Sequence, residues 1–311
     1  MANIEKLYAA AAPRERLSAE DPIRLTDRRT CRFSALFWSD MHLSDTFPGR
    51  CRALRICRQD IENAADPIDV LAFGGDLTDN GKRTERELLA KILNRLPNVE
   101  HILPAYGNHD IRFRRFSATV AGFDRLCAAL EPGLSPHKLW YGYETRAASL
   151  LILGSDRTKF EESFLSEEQF TWLEHRLSAA DAAGKPSFVL LHQPLQDTHN
   201  LPHAWDTPVP NAGSVGEQSE RLRKLLQRHK NVFYVTGHLH RGFNVNTYEE
   251  VGSVHCVCLP STGLVNKDSR YGEPGLTMLL EVYDDRVVFR ARDSLHGRFV
   301  PEYEKTYFYN H

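Results

Sequence analysis

Five short groups of Asp, His and Asn residues carry side chains that could hold metal ions. In chain order they are Asp40-Met41-His42, Gly75-Asp76, Gly107-Asn108-His109-Asp110, His192 and Gly237-His238-Leu239-His240. Carboxylate, imidazole and amide ligands together suit Mn²⁺, Fe or Zn²⁺ better than Mg²⁺ or Ca²⁺, which prefer a shell of oxygens. These residue types therefore predict a metal centre assembled from distant parts of the chain.

Each group taken alone has an ordinary structural interpretation. Asp76 could be a turn residue, Asn108 could occupy a left-handed turn position, and His192 could be a hydrogen-bonded core histidine. Asp197-Thr198-His199 repeats the Asp-x-His pattern with no apolar run before it, and we expect no metal there. Five groups in this order, all but one directly after an apolar run, are poorly explained by coincidence.

The apolar runs before these groups predict the strands that position them. The predicted strands are Phe33–Ser39, Ile68–Gly74, His101–Tyr106, Ser149–Gly154, Ser187–Leu191 and Val232–Thr236. Ligand crevices form at the carboxyl ends of strands in α/β sheets. Period-2 alternation would put Asp40 and His42 on one side as their strand ends. By the same reasoning His238 and His240 could converge on one metal or serve two.

Helices are predicted between the strands from their start and stop signals. Three capping boxes each open an amphipathic run: Thr84-x-x-Glu87, Ser166-x-x-Gln169 and Ser214-x-x-Glu217. Gly184 occupies the position of a helix C′ residue. Strands alternating with helices predict a layered α/β domain.

The two ends of the chain differ from this middle part. Residues 1–30 are polar and weakly periodic, which predicts an arm or a surface helix, and residues 31–311 are expected to form a single domain. After His240 only strands are predicted, with Asp284-Asp285 as a hairpin turn. These strands are Gly242–Tyr248, Val254–Leu259, Leu276–Tyr283 and Arg286–Arg292.

The stretch from Pro194 to Gly213 fits neither a strand nor a helix. Long irregular segments in compact domains are usually functional, and this one directly follows His192, so a substrate-facing loop is predicted. Its Trp205 and Asp206 could line an organic group, although Trp205 could equally cap the core. Arg241 could touch a substrate phosphate, but we expect an exposed surface arginine.

Composition limits the classes of partner. Among 311 residues, 39 are Lys or Arg and 41 are Asp or Glu, and this balance gives no electrostatic argument for nucleic acid or an anionic membrane. The sequence contains no apolar run long enough to span a membrane and no signal-peptide pattern at its start. Six cysteines without C-x-x-C pairing suit a reducing compartment, so a cytoplasmic location is expected.

The order of the five groups resembles that of the calcineurin-like metallophosphoesterase superfamily, which includes purple acid phosphatases and cyclic-nucleotide phosphodiesterases. The resemblance covers about Phe33 to Arg292, with every motif intact. It implies an α/β fold of four layers, an αββα sandwich whose two mixed β-sheets are flanked by helices, with the site at its edge. Family members that dimerise make a homodimer a further expectation.

Carried over residue by residue, the resemblance implies two metal ions and two catalytic side chains. The ligands of one ion would be Asp40, His42 and His240. The ligands of the other would be Asn108, His192 and His238. Asp76 would bridge both ions, His109 would be the catalytic histidine near the leaving group, and Asp110 would be its orienting partner.

This assignment is chemically consistent with phosphate ester hydrolysis. Two ions about 3.5–4 Å apart can activate a water between them and neutralise charge on phosphoryl oxygens. His109 can give the leaving group a proton, and a carboxylate such as Asp110 would fix its ring. The predicted substrate is a small phosphodiester or phosphomonoester, with cyclic nucleotides, glycerophosphodiesters and nucleotides all open. A nuclease and a non-catalytic interaction scaffold on the same fold are the alternatives.

Overall fold

A computed structural model describes residues 4–13, 21–201 and 209–309 of the chain. The helices are α1 Ile4–Ala10, α2 Pro48–Glu62, α3 Arg83–Leu93, α4 Asn108–Ile111, α5 Phe116–Leu130, α6 Glu167–Ala182 and α7 Ser219–Leu226. The strands are β1 Phe33–Trp38, β2 Ile68–Phe73, β3 Val99–Leu103, β4 Tyr141–Glu144, β5 Ser149–Ile152, β6 Ser187–Leu190, β7 Val232–Thr236, β8 Tyr248–Val251, β9 Val254–Cys258, β10 Leu276–Val282, β11 Arg286–Asp293, β12 Arg298–Phe299 and β13 Lys305–Phe308. Trp205 and Asp206 lie outside the described residues.

The strands form two mixed sheets. The first has the order β12-β11-β10-β1-β2-β3, with β13 also paired to β11. Its strands β1, β2 and β3 are parallel, and β10 runs antiparallel to β1 with Ala35 opposite Leu280. The second has the order β4-β5-β6-β7-β9-β8, in which β5, β6, β7 and β9 are parallel. The predicted pair of mixed sheets is confirmed.

Side-chain alternation along the strands builds the layers between the helices and sheets. In β7, Phe233 and Val235 face the first sheet, while Val232 and Tyr234 join a second apolar cluster with α6 and α7. Phe233 lies 5.7 Å from Phe289 of β11, measured between ring centroids, so the two sheets pack face to face. The outer face of the first sheet packs against α2, α3 and α5. This is the predicted αββα sandwich.

The N-terminal residues that are described lie on this domain. Helix α1 contacts α2 and α3, and Ala11 and Ile23 are fully buried in the main core. A buried ion pair joins α2 to β11, since Arg292 Nε donates to Asp60 Oδ2 over 2.8 Å. The division of the chain at residue 31 stays a prediction. None of the described helices is both long and apolar enough to cross a membrane.

Two of the four predicted helix signals are confirmed. Ser166 Oγ accepts the Gln169 N–H at the start of α6, and Gly184 follows its end with φ 65°. The other two boxes are wrong. Helix α3 begins at Arg83, and Thr84 lies inside it with its hydroxyl on Asp45. Ser214 instead accepts the Gly216 N–H, and α7 begins five residues later at Ser219.

Most predicted strands occur within a few residues of their expected bounds. The prediction of a strand at Gly242–Tyr248 is wrong, because residues 242–247 form turns and β8 begins only at Tyr248. Strands β4, β12 and β13 were not predicted; each has at most four residues and its apolar pattern is correspondingly weak. The hairpin at Asp284-Asp285 is confirmed, with Tyr283 N–H donating to the Arg286 carbonyl over 2.9 Å.

Candidate metal centre

The carboxyl ends of β1 and β2 meet those of β6 and β7 at one edge of the sandwich. Three predicted ligands of the first ion come together there. His42 Nε2 lies 3.0 Å from His240 Nε2, and His240 Nε2 lies 3.1 Å from Asp40 Oδ1. With Asp76 they form a group whose ligand atoms are close enough to hold one cation.

The second group lies directly beside the first and shares one carboxylate with it. His192 Nε2 lies 3.1 Å from His238 Nδ1 and 3.1 Å from Asp76 Oδ2. Asp76 Oδ2 is also 3.4 Å from His42 Nε2 in the first group. One carboxylate oxygen therefore lies between the imidazoles of both groups, which is the position that a bridging ligand needs.

Asn108 is linked to the second group through Glu161, whose Oε2 lies 3.7 Å from His238 Nε2. Asn108 Nδ2 donates to the Phe160 carbonyl and to Glu161 Oε2, each over 3.0 Å. These two acceptors identify the amide nitrogen of Asn108, because an amide oxygen in the same position would face two other oxygens. Asn108 Oδ1 is left buried with no hydrogen-bond partner, an arrangement that suits a metal ligand.

The electrostatics of the two groups fit bound cations. Burial would lower the pKa of His192, but the neighbouring carboxylates of Asp76 and Asp40 raise it to about 10. Burial and the nearby His192 hold the pKa of His238 well below its usual range. The carboxylates thus attract positive charge to a group of buried side chains. A metal ion would replace the proton there and bind the histidine lone pairs, so these residues fit a dinuclear centre.

Backbone conformation marks the same residues. Five of the seven predicted ligands have positive φ, namely Asp40 (50°), His42 (42°), Asp76 (48°), His238 (74°) and His240 (49°). Only a few per cent of non-glycine residues adopt this region, although Asp and His tolerate it better than most. Such residues cluster at functional sites. Asp40 and His42 do lie in one group as expected, but strand alternation is not the cause, because β1 ends at Trp38 and both residues have left-handed backbone.

Two glycines let the loops approach each other here. Gly75 has φ 101°, and a Cβ on it would lie 2.5 Å from His192 Nδ1. A Cβ on Gly107 would lie 2.5 Å from the Asp76 backbone nitrogen. A larger residue at either position would push apart the segments that carry Asp76 and His192.

His109 faces the same space with its ring held at one nitrogen. Its Nδ1 lies 2.9 Å from the Asp79 carbonyl and 3.1 Å from Arg112 Nη2, and its ring centroid is 4.3 Å from that of His42. The carbonyl can accept only from a protonated Nδ1, whereas Arg112 can donate only to an unprotonated one. Both contacts are made by Nδ1, which leaves Nε2 as the ring nitrogen available to a bound ester.

The prediction that Asp110 orients His109 is wrong. Asp110 Oδ1 accepts from the Thr78 N–H and hydroxyl, and Oδ2 accepts from the Leu77 and Gly107 N–H groups. Burial and the nearby Asp76 raise the pKa of Asp110 to about 7 despite these donors. Asp110 instead ties the Asp76 turn to the start of α4. The group that holds the His109 ring is the Asp79 carbonyl.

Two further carboxylates belong to the site and were missed in the sequence, Asp79 and Glu161. Asp79 Oδ1 lies 3.5 Å from His42 Nδ1 and 2.5 Å from Arg50 Nη1. Although burial would raise it, contacts with His42 and Arg50 lower the pKa of Asp79 to about 2. A second carboxylate three residues after Asp76 was a usable signal for Asp79. Glu161 had none, because its segment lacks a strand or motif.

Two other interpretations of the sequence have clear outcomes. Arg241 is buried, not exposed, since it donates to the His199 carbonyl over 3.3 Å and pairs with Asp268 over 3.2 Å. His199 is also buried, and its Nδ1 lies 2.7 Å from the Asn246 carbonyl. At the end of the predicted loop, Ala212 and Gly213 line the cavity at the site.

The centre opens into a cavity of about 330 Å³. Its lining combines ligands from both groups with His109 and Glu161: Asp76, His109, Glu161, Ala212, Gly213, His238 and His240. This volume suits a small ligand. Residues 34–242, which carry all five groups, match the model of the calcineurin-like phosphoesterase family.

The chain belongs to the calcineurin-like phosphoesterase family. This family implies a dinuclear metal site, in agreement with the two ligand groups that share Asp76. The sequence resemblance is thereby confirmed.

Several known proteins are similar to this family member. A glycerophosphodiester phosphodiesterase of Enterobacter lignolyticus is 27% identical over 55% of this chain and 56% of its own length. A 3′,5′-cyclic-nucleotide phosphodiesterase of a Nostoc species is 25% identical over 65% of each protein. The match thus spans less than two thirds of either relative. A dimetal phosphatase of Danio rerio, 13% identical, covers 90% of this chain with its whole length at a TM-score of 0.62 and supports the fold alone.

Proposed function

We propose that this protein hydrolyses a small phosphodiester or phosphomonoester at a dinuclear metal centre. The observation that carries the proposal is the position of Asp76 Oδ2, which lies 3.4 Å from His42 Nε2 and 3.1 Å from His192 Nε2. A single carboxylate oxygen shared by two ligand groups is what a paired-ion centre requires. When bound, two ions would supply activation of water and neutralise charge on the phosphoryl oxygens.

The chain's own residues would then bind the ester and move a proton. Asp40, His42 and His240 hold one ion in this proposal, and Asn108, His192 and His238 hold the other. His109 donates a proton to the leaving oxygen from Nε2, the nitrogen opposite its contact with Arg112. Asp110 acts by holding the Asp76 turn and does not act on the ester.

The metal identity and setting belong to the same proposal. The mixture of imidazole, carboxylate and amide ligands favours Mn, Fe or Zn. Relatives named for glycerophosphodiesters and for cyclic nucleotides support an ester of that size as the substrate. The two candidate ligand groups and the phosphodiesterase relatives support an enzyme over a non-catalytic scaffold. A homodimer, a cytoplasmic location and the absence of a nucleic acid partner stay predictions.

Metal titration tests the proposal directly. Metal-free protein would be loaded with Mn²⁺, Fe²⁺ or Zn²⁺ and assayed with bis-p-nitrophenyl phosphate. We expect turnover to rise with metal up to two ions per chain. Two bound ions without turnover of any phosphate ester would favour the scaffold.

Leaving-group dependence tests the part played by His109. An alkyl ester needs a proton on its leaving oxygen, whereas p-nitrophenolate leaves without one. We expect His109→Ala to lower kcat for an alkyl diester by about 10²–10⁴-fold and for the nitrophenyl ester far less. His175→Ala, on the exposed face of α6, is the control. Equal effects on both esters would show that His109 is not the acid.

A further inference from the structure

Two phenylalanines stand exposed beside the metal centre and contact each other. Phe113 is 57% exposed and Phe160 is 62% exposed, yet their ring centroids are 6.2 Å apart at an interplanar angle of 71°. We call this pair the aromatic rim. A single exposed apolar side chain needs no explanation. Two that come from separate segments and meet at a site are characteristic of a binding surface.

One guanidinium links the rim to the proposed catalytic histidine. Arg112 Cζ lies 4.9 Å from the Phe113 ring centroid and 5.1 Å from that of Phe160. The same guanidinium lies 3.1 Å from His109 Nδ1 and 3.3 Å from Glu161 Oε1. The rings are therefore one side chain away from the leaving-group end of the site.

The backbone also fixes the rim against the cavity. The Phe160 carbonyl accepts from Asn108 Nδ2 over 3.0 Å, so the rim residue is tied to a proposed metal ligand. The next residue, Glu161, lines the cavity of about 330 Å³. The Phe160 ring itself remains largely exposed at this position, so it is available to a group that extends out of the cavity.

The chemistry of the rim selects a flat, aromatic group. Phenyl rings bind nucleobases by stacking, which is tolerant of base identity because every base has a π face. Arg112 adds a planar cation that can stack on the same base. A glycerol or an alkyl alcohol offers neither a π face nor an apolar surface of that size.

We propose that the aromatic rim binds the base of a nucleotide ester, which makes nucleotide esters such as cyclic nucleotides, and not glycerophosphodiesters, the preferred substrates. This inference rests on the proposed hydrolytic function. If these contacts only stabilise the packing of Phe160 against α4 and the residues that follow it, no difference between substrates is expected.

Substrate pairs separate these interpretations. The Mn²⁺-loaded protein would be assayed with 3′,5′-cyclic AMP and with glycerophosphoethanolamine, both phosphodiesters. We expect Phe160→Ala to lower the ratio of kcat/KM for cyclic AMP to that for the glycerol ester by about tenfold. Phe160→Trp should restore the ratio, whereas Phe160→Leu, apolar but without a π face, should not.

Phe308→Ala is the matched control, because Phe308 is 68% exposed at the far edge of the first sheet. It should leave the ratio unchanged. Turnover of both esters with an unchanged ratio in Phe160→Ala would overturn the rim as a base site and leave the hydrolase intact.

The affinities for AMP and glycerol 3-phosphate, measured by calorimetry, test the rim independently of turnover. If no ester is turned over, the proposed hydrolysis is overturned. The rim is still supported as a base site if Phe160→Ala weakens AMP binding about tenfold and affects glycerol 3-phosphate binding less. Equal changes in affinity for the two compounds would overturn the rim.

Discussion

The metal centre and the apolar interface between the sheets involve the same strands but differ in backbone conformation and in the polarity of their side chains. In β7, Phe233 and Val235 alternate inward and reach the first sheet in regular extended backbone. Three residues after Val235, His238 has φ 74° and its side chain joins a buried polar group. Local sequence preference and tertiary packing agree in the first region and conflict in the second.

The difference shows where stability and function are separated. Phe233 stacks on Phe188 with ring centroids 5.0 Å apart and contacts Phe289 and Tyr307 as well. The centre instead holds left-handed residues, each costing roughly 1–3 kcal/mol, and buried oxygens without hydrogen bonds. We infer that the interface supplies the free energy of folding that keeps the strained centre in one arrangement.

The largest effect should follow from changing the shared carboxylate. Asp76→Asn keeps the shape and an oxygen for the His109 N–H, which Asp76 Oδ1 accepts over 2.8 Å. We expect loss of bound metal and at least about 10³-fold lower kcat/KM, since paired ions contribute several kcal/mol. Elemental analysis and the diesterase assay would measure both. A variant that retains two ions and full turnover would contradict the bridging position.

The opposite outcome is expected at the interface. Phe233→Ala removes a side chain that is 1% exposed, so the free energy of unfolding should fall by about 3–5 kcal/mol. Urea unfolding followed by fluorescence would measure it, with Phe308→Ala as the exposed control. Below the transition the folded fraction should bind metal and turn over ester normally. Loss of activity in fully folded Phe233→Ala would show that the two regions are not separated.

A smaller effect is expected from changing Asp79, which supports the proposed metal ligand His42. Asp79 contacts His42 Nδ1 and Arg50, and such supporting carboxylates typically contribute about 10–100-fold in metal affinity. Asp79→Asn should weaken the first metal by that factor in a chelator competition assay and leave the second ion in place. Asp45→Asn, whose carboxylate contacts Lys82 and Thr84, is the control. Equal loss of both ions would mean that Asp79 stabilises the whole centre.

The sequence predicted the ligand residues better than the backbone that carries them. Six of the seven ligand candidates lie in two adjoining groups. Motif order and apolar runs are local features, so they can be recognised in the sequence alone. The capping boxes at Thr84 and Ser214 failed because other groups satisfy the helix starts: Glu85 accepts the Lys82 N–H over 3.0 Å at the start of α3. Asp110 was misassigned because adjacency to His109 in sequence says nothing about where a carboxylate finds its donors.

The residue pattern alone predicted the two sheets, the five groups at strand ends and the kind of metal ion that they suit, because period-2 alternation and ligand chemistry are properties of the residues themselves. Tertiary packing fixes which carbonyl holds His109, that Asp79 supports His42 and that Phe113 meets Phe160. These depend on loops brought together from strands of two different sheets. Residues with left-handed backbone and glycines allow these loops to approach each other closely. The requirement for glycine can be recognised only when the neighbouring segment is known.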